Sequence, residues 1–461
     1  MIQNRPSIVL VTVDCLRSDH VGFMGYERPT TPFLDSLAQE SLIFRQAIVA
    51  GAPTYYSVPG ILASRYPLAL GRDLLGLGPD EPTLATVLKG SGYATGAFIA
   101  GNPYIARRFG YDRGFDVFRE FLEEEATLVS GESVEHRNGG WASRLNRKLQ
   151  QIRPALGPVG SVYDELYFRY CQRTSGLPES LDALRRFPPA DVIVEQALTW
   201  LDSVGNSPFF LWLHVMDPHA PYYPKREALG LMGEPSITPY QARYLNSYWN
   251  RSDLEARRLR HRRKEIIALY DAGIRWVDAQ MARMIEALRG KDRWNDCVFA
   301  LTADHGEEFL DHGGRFHPPS GLMEELIHVP LLLRVPRHDG KKQEDSPFSL
   351  IHLTPTILEA AEVNVPQEFR GSSYWHAKSD AESVAISECV AGCTNPFRRE
   401  NRMGPRVLSV RESRFKLVLF FDPPAEYLYD LEVDPKETAP VERTEEIPVR
   451  RRLLEIAREH L

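Results

Sequence analysis

Four apolar runs, each closing on a polar residue able to do chemistry, constrain this chain more than any other feature. They are SIVLVTVD (7–14), YATGAFIAGN (93–102), PFFLWLHVMD (208–217) and CVFALTADHGE (297–307). They end on Asp14, on Asn102, on Asp217, and on Asp304 with His305. Apolar runs this short, bounded by turn residues, read as buried strands. Helical patterns at 31–41, 83–92, 191–205 and 265–290 separate them, the first with Thr31 as cap and Pro32 at its first position. HVPLLLRVP (328–336) adds a strand and 349–363 a helix. Strands alternating with helices predict an α/β fold, a large mostly parallel sheet sandwiched by helices. In such a sheet the carboxyl ends of the strands share one edge, so residues hundreds of positions apart meet in one crevice.

The alternation divides the chain. Residues 1–375 carry it and read as the main domain, with a charged, Gly-, Pro- and aromatic-rich insertion or cap at about 120–190. A segment of this kind often shapes a site. Residues 376–461 change character: SVAISE, RVLSVRESRFKLVLFF and EYLYDLEVDP suggest short antiparallel strands, and 449–461 an amphipathic terminal helix. The basic run from Arg257 to Lys264 reads as the solvated start of the long helix.

Bulk properties exclude several classes. A net charge of −7, from 55 Lys and Arg against 62 Asp and Glu, argues against general nucleic-acid binding. No signal-peptide pattern is visible, and no stretch approaches the ~20 apolar residues of a membrane span. Five scattered cysteines do not make a disulfide framework. The expectation is a reduced, cytoplasmic protein, with homo-oligomer formation left open.

Asp14, Asp304 and His305 together would offer a divalent cation two carboxylates and an imidazole, with room for a nucleophile. The nucleophile candidate is Thr54 in GAPTYYSVPGILASRYP (51–67), at the start of an expected helix. A hydroxyl there, beside a metal, suits an alkoxide and an anionic ester; the plain alternative is an N-cap. Asn102 is either a substrate ligand or a turn residue before Pro103.

Read together, these segments resemble the sulfatase-like branch of the alkaline phosphatase superfamily. VTVDCLRSDHVGFMGYERPTTPFLDSLA is similar to the opening block of that family, GYATGAFIAGNPYIARRFGYDRGFD to the next, and WLHVMDPHAPYYP to a histidine motif. YDAGIRWVDAQM, TADHGEEFLDHG, MEELIHVPLLLRVP and EYLYDLEVDPKET follow in family order. The resemblance implies an alkaline phosphatase-like fold, metal ligands at Asp14, Asp304, His305 and Thr54, and His219 beside the scissile ester. His317 falls where relatives place a substrate-side Lys or His. Thr54 stands at the position that family sulfatases oxidise to formylglycine, and threonine cannot undergo that conversion. Ser57, in Ser57-Val58-Pro59, is an out-of-register rival. FIAGNP also replaces a sulfate-gripping motif, whereas a threonine nucleophile with a nearby asparagine is found in phosphodiesterase and phosphotransferase relatives.

The resemblance therefore implies a metal-dependent hydrolase of phosphate diesters or monoesters, working through a covalent threonyl intermediate on a small anionic ester. A sulfatase without formylglycine, a phosphoryl transferase and an inactive anion- or partner-binding relative are the alternatives. One metal is expected, Mn²⁺ or Zn²⁺ rather than Ca²⁺, because an imidazole replaces the usual oxygen ligand. A second would draw on Asp217, His219 and His312 or His317.

Overall fold

The computed structural model describes residues 5–122, 158–174, 176–319, 321–337, 340, 342–376, 383–442 and 447–461. Most of the 120–190 segment lies outside the described residues, which take up again there at a helix spanning Pro158–Thr174.

Ten strands appear before residue 350: β1 (Ser7–Val13), β2 (Leu42–Ile48), β3 (Ala94–Ile99), β4 (Val117–Arg119), β5 (Phe209–Val215), β6 (Cys297–Ala303), β7 (Glu308–Phe309), β8 (Arg315–Phe316), β9 (His328–Arg334) and β10 (Gln343–Ser349). Eight of them form one sheet in the order β10-β2-β9-β6-β1-β5-β3-β4, and β7 pairs with β8 in a separate hairpin. β1 lies at the centre, parallel to β5 and to β6, with Thr12 opposite both His214 and Thr302. β9 alone runs antiparallel to its neighbours β6 and β2. Every residue of β1, β5 and β6 is buried, as strands covered on both faces require. β2 and the edge strand β10 had no counterpart in the sequence reading. LIFRQAI and QEDSPFS are broken by polar residues, and partners remote in sequence draw them into the sheet.

The covering helices are α1 (Pro32–Ala38), α2 (Thr54–Ala63), α3 (Leu84–Gly90), α4 (Ala190–Val204), α5 (Arg263–Gly290) and α6 (Leu353–Ala360). Thr31 takes the N-cap position of α1 with Pro32 after it, but its hydroxyl donates to Asp35 rather than capping the backbone. A capping box between Thr83 and Thr86 starts α3.

β11 (Ala385–Val390), β12 (Arg406–Arg411), β13 (Phe415–Phe421) and β14 (Pro424–Asp430) make a four-stranded antiparallel sheet. Its period-2 pattern serves two cores. Ala385, Cys389, Val407 and Val418 join the main core. Ile386, Leu408, Val410 and Leu417 pack with Leu453 and Ala457 of the closing helix α7 (Ile447–His460). A buried ion cluster rivets this sheet to the main domain: Lys416 meets Glu324 at 3.2 Å and Glu437 at 2.7 Å, while Arg411 meets Glu324 at 3.3 Å. All five cysteines are free thiols. Among the described residues no helix is long and apolar enough to cross a membrane.

Candidate active site

The central strands deliver their end residues to one place. Asp14 follows β1, Asp304 and His305 follow β6, Asn102 follows β3, and all four are buried. Asn102 Nδ2 donates to Asp14 Oδ2 at 2.8 Å. His305 Nε2 lies 3.7 Å from Asp14 Oδ1 and 3.6 Å from Asp304 Oδ2. Thr54, the first residue of α2, brings its Oγ1 to 3.1 Å from His305 Nε2. Pro53, not Thr54, occupies the N-cap position, so the threonine hydroxyl is not spent on the helix end. Ser57, three residues on, turns inward and donates to the Thr54 carbonyl.

Two buried carboxylates side by side are costly without a cation. Asp304 is pushed above the usual carboxylate range by burial and by the Asp14 charge. Burial also works against the charged form of Asp14, but His219, His214 and His305 outweigh it and hold Asp14 well below that range. Asp304 Oδ1 accepts the His305 N–H at 3.0 Å, whereas Oδ2 is buried and accepts no hydrogen bond among the described residues. A buried orphan acceptor is a desolvation cost that a bound cation removes. Asp14, His214 and Asp304 each present a ligand atom within 4.8 Å of the others, as do Asp14, Cys15 and His305. The donor set therefore fits a divalent metal.

His219 and His317 face this cluster. Their rings lie 5.0 Å apart, and that of His317 is 4.6 Å from His305. His219 directs Nδ1 to its neighbour's carbonyl, which leaves Nε2 for the cavity.

Two further expectations separate from the site. Asp217 is tied to Arg185 at 2.7 Å and to the backbone N–H of Ala190 at 2.9 Å, so it anchors the start of α4. His312, in the turn between β7 and β8, pairs with Glu325 at 2.6 Å, and this contact raises it to about 9. Neither joins His219: Asp217 took Arg185 as its cation, and His312 took Glu325 as its carboxylate.

Sequence reasoning passed over three neighbours. His214, the sixth residue of β5, bonds Thr12 through Nδ1 at 2.9 Å and approaches Asp14 through Nε2 at 3.2 Å. Glu307 accepts from Tyr222 at 2.8 Å and meets His317 Nδ1 at 3.1 Å. Its carboxyl is held below the usual range because the pull of His317 and His219 exceeds the burial penalty. Cys15 takes a left-handed backbone (φ 62°) that brings Sγ to 3.1 Å from Asp14 Oδ1 and 3.4 Å from His317 Nδ1. His214 and Glu307 stand inside the quoted blocks WLHVMDPHAP and ADHGE. Pairing β5 with β1 points to the first, and the second is a charge within three residues of Asp304.

A cavity of about 760 Å³ opens over the cluster, lined by Thr54, Asn102, His219 and His317 together with Tyr55, Tyr104, Phe187 and Arg186. This volume suits a small organic ligand.

Comparison with known proteins identifies the family of the fold. Residues 6–363 match the family model described as Sulfatase, and residues 315–456 the one described as N-sulphoglucosamine sulphohydrolase, C-terminal. An arylsulfatase of Clostridium perfringens is 23% identical over 96% of this chain and 91% of its own length. The multifunctional alkaline phosphatase superfamily protein PehA of Trinickia caryophylli is 23% identical over 80% of this chain and 76% of its own. The crystal structure of a phosphonate monoester hydrolase of Agrobacterium radiobacter superposes with a TM-score of 0.65 at 19% identity, covering 99% of this chain and 96% of that one. With the family match running from before β1 to beyond α6, the chain belongs to the sulfatase family of the alkaline phosphatase superfamily, and it is a hydrolase of that family.

Proposed function

We propose that this chain hydrolyses phosphate esters, diesters or monoesters, through a covalent intermediate on Thr54. The observation that carries the reading is the Thr54 hydroxyl, free of capping duty and 3.1 Å from His305 in the carboxylate cluster. A divalent cation held by Asp14, Asp304 and His305 would supply positive charge that acidifies the Thr54 hydroxyl and offsets charge on the transferring group. Two oxygens and an imidazole favour Mn²⁺ or Zn²⁺ over Ca²⁺.

The chain's own groups supply the rest. Thr54 Oγ1 releases its proton to solvent water and attacks phosphorus, and the new O–P bond forms as the bond to the leaving oxygen breaks. His219 gives the leaving oxygen a proton from Nε2. Asn102 has a second amide hydrogen beyond the one donated to Asp14, and this is the donor for a non-bridging oxygen. Glu307 fixes the ring of His317, which lines the cavity next to His219. Water then cleaves the threonyl ester. The five free thiols fit a reducing compartment, and the reading places the protein in the cytoplasm.

A sulfuric ester hydrolase working without formylglycine is the second reading, favoured by the arylsulfatase relative and by the sulphohydrolase match over 315–456. The metal-loaded protein is assayed on nitrophenyl phosphate, bis-nitrophenyl phosphate, nitrophenyl phosphonate and nitrophenyl sulfate, with Thr54→Ala and Ser57→Ala beside it. The proposal expects phosphorus esters to be turned over, Thr54→Ala to lose at least ~1000-fold in kcat, and Ser57→Ala to stay within ~10-fold. Full activity in Thr54→Ala refutes the nucleophile, and turnover of sulfate alone establishes the second reading.

A further inference from the structure

The cavity wall is charged in a way that the chain as a whole is not. The protein carries net charge −7, yet three arginines (Arg185, Arg186 and Arg315) line the cavity, and no Asp or Glu lines it among the described residues. Each arginine has unspent capacity. The side chain of Arg185 is only 8% exposed; its Nη2 holds Asp217 and its Nη1 the Tyr223 carbonyl, while its Nε is buried and unpartnered. Arg315 is held through Nη1 by the backbone carbonyls of Trp249 and Arg251. Burial is the one influence that depresses its guanidinium, and no carboxylate offsets it. Arg186 is exposed and lines the cavity.

Position gives these charges a meaning separate from the transferred group. Arg185 and Arg186 precede Phe187, whose ring lies edge-on to His219 at 5.3 Å, and Arg315 stands two residues before His317. They therefore line the same cavity as His219, the proton donor proposed for the leaving oxygen, and His317. Tyr55 and Tyr104, with ring centroids 5.1 Å apart, and Phe121 line the same cavity and offer it apolar surface. Guanidinium groups around an anion give strong, directional hydrogen bonds, and a partly desolvated cation with no counter-ion leaves that capacity to a ligand.

We propose that the cavity selects esters whose leaving group carries a ring and a second anionic group, a carboxylate or sulfonate, bound by Arg186 and Arg315. The inference rests on the reading of this site as an ester hydrolase but not on which ester is cut.

The test compares 3-carboxyphenyl phosphate with its neutral isostere 3-carbamoylphenyl phosphate, and the matching pair of sulfate esters, on the metal-loaded full chain. The expected result is a carboxylate-to-amide ratio in kcat/KM of at least ~10, carried by KM, and similar for whichever ester series is turned over. A sulfonate in place of the carboxylate keeps the preference if charge is what is read. Arg186→Gln and Arg315→Gln should each lower the ratio to below ~3, through loss on the carboxylate ester rather than gain on the amide. Arg186→Gln, at an exposed position, keeps the test valid should Arg315→Gln fail to fold. A wild-type ratio near 1 overturns the proposal, as does an unchanged ratio in both variants. If neither series is turned over, calorimetric binding of 3-hydroxybenzoate against 3-hydroxybenzamide reads the same subsite: tighter benzoate binding that Arg186→Gln abolishes supports it, and equal binding overturns it.

Discussion

Lys416→Met tests whether the C-terminal sheet holds the catalytic edge in place. The ammonium is fully buried, 2.7 Å from Glu437 Oε1 and 3.2 Å from Glu324 Oε1. At an effective dielectric constant of about 20, unit charges at those separations attract by about 6 and about 5 kcal/mol, set against several kcal/mol of desolvation per ion. Removing the lysine leaves the two carboxylates in unequal positions. Glu324 keeps Arg411 at 3.3 Å, whereas Glu437, 2% exposed, loses its cation. Stranding one buried charge costs about 3–5 kcal/mol. The unfolding entropy of a chain this long turns about 1 kcal/mol into about 1 °C, so the midpoint should fall by about 3–5 °C at a matched scan rate. The consequence reaches the site, because Glu437 Oε2 caps the backbone N–H of Glu324 at 2.6 Å. The next residue, Glu325, accepts the Glu307 N–H through its carbonyl at 3.1 Å, just beyond His305. Adding Glu437→Gln removes the stranded charge and keeps an oxygen for the Glu324 N–H, so the double variant should recover at least half of the lost stability. A single variant within about 1 °C of wild type, or a double variant no more stable than the single, would refute the reasoning.

Three other outcomes follow from the same geometry. In Gly306→Ala the new Cβ would stand 1.9 Å from the Glu325 carbonyl, so His305 must shift; about 1–3 kcal/mol of stability and about 100-fold in kcat/KM should be lost, and wild-type kinetics would show that the edge tolerates the strain. His312, raised to about 9 by Glu325, binds its proton more tightly folded than unfolded, so its contribution is complete below about 6.5 and disappears as pH rises through 9. Solvent screening of this half-buried pair leaves about 1–2 kcal/mol, and urea midpoints should drop over that window in wild type but not in His312→Gln. Chelation should abolish turnover and Mn²⁺ or Zn²⁺ restore it, while Asp304→Asn should lose bound metal by elemental analysis; restoration by Ca²⁺ alone would reverse the metal preference.

The four apolar runs with polar ends were enough to specify a central parallel sheet and to bring Asp14, Asn102, Asp304 and His305 to one edge. Strand burial and parallel pairing follow from local patterning, and the carboxyl-end rule turns pairing into proximity. Asp217 satisfied the same rule and still left the cluster, because Arg185, in the segment without readable pattern, took its carboxylate. His214 and Glu307 went unnoticed for the converse reason: their importance comes from which strand lies beside β1 and which ring lies beside a carboxylate. Whether Thr54 caps a helix or faces a metal site also depended on the turn before it, which hands the cap position to Pro53. Backbone propensity and hydrophobic period are local and can be read along the chain. Competition among charges for partners is settled only by distances that exist after folding.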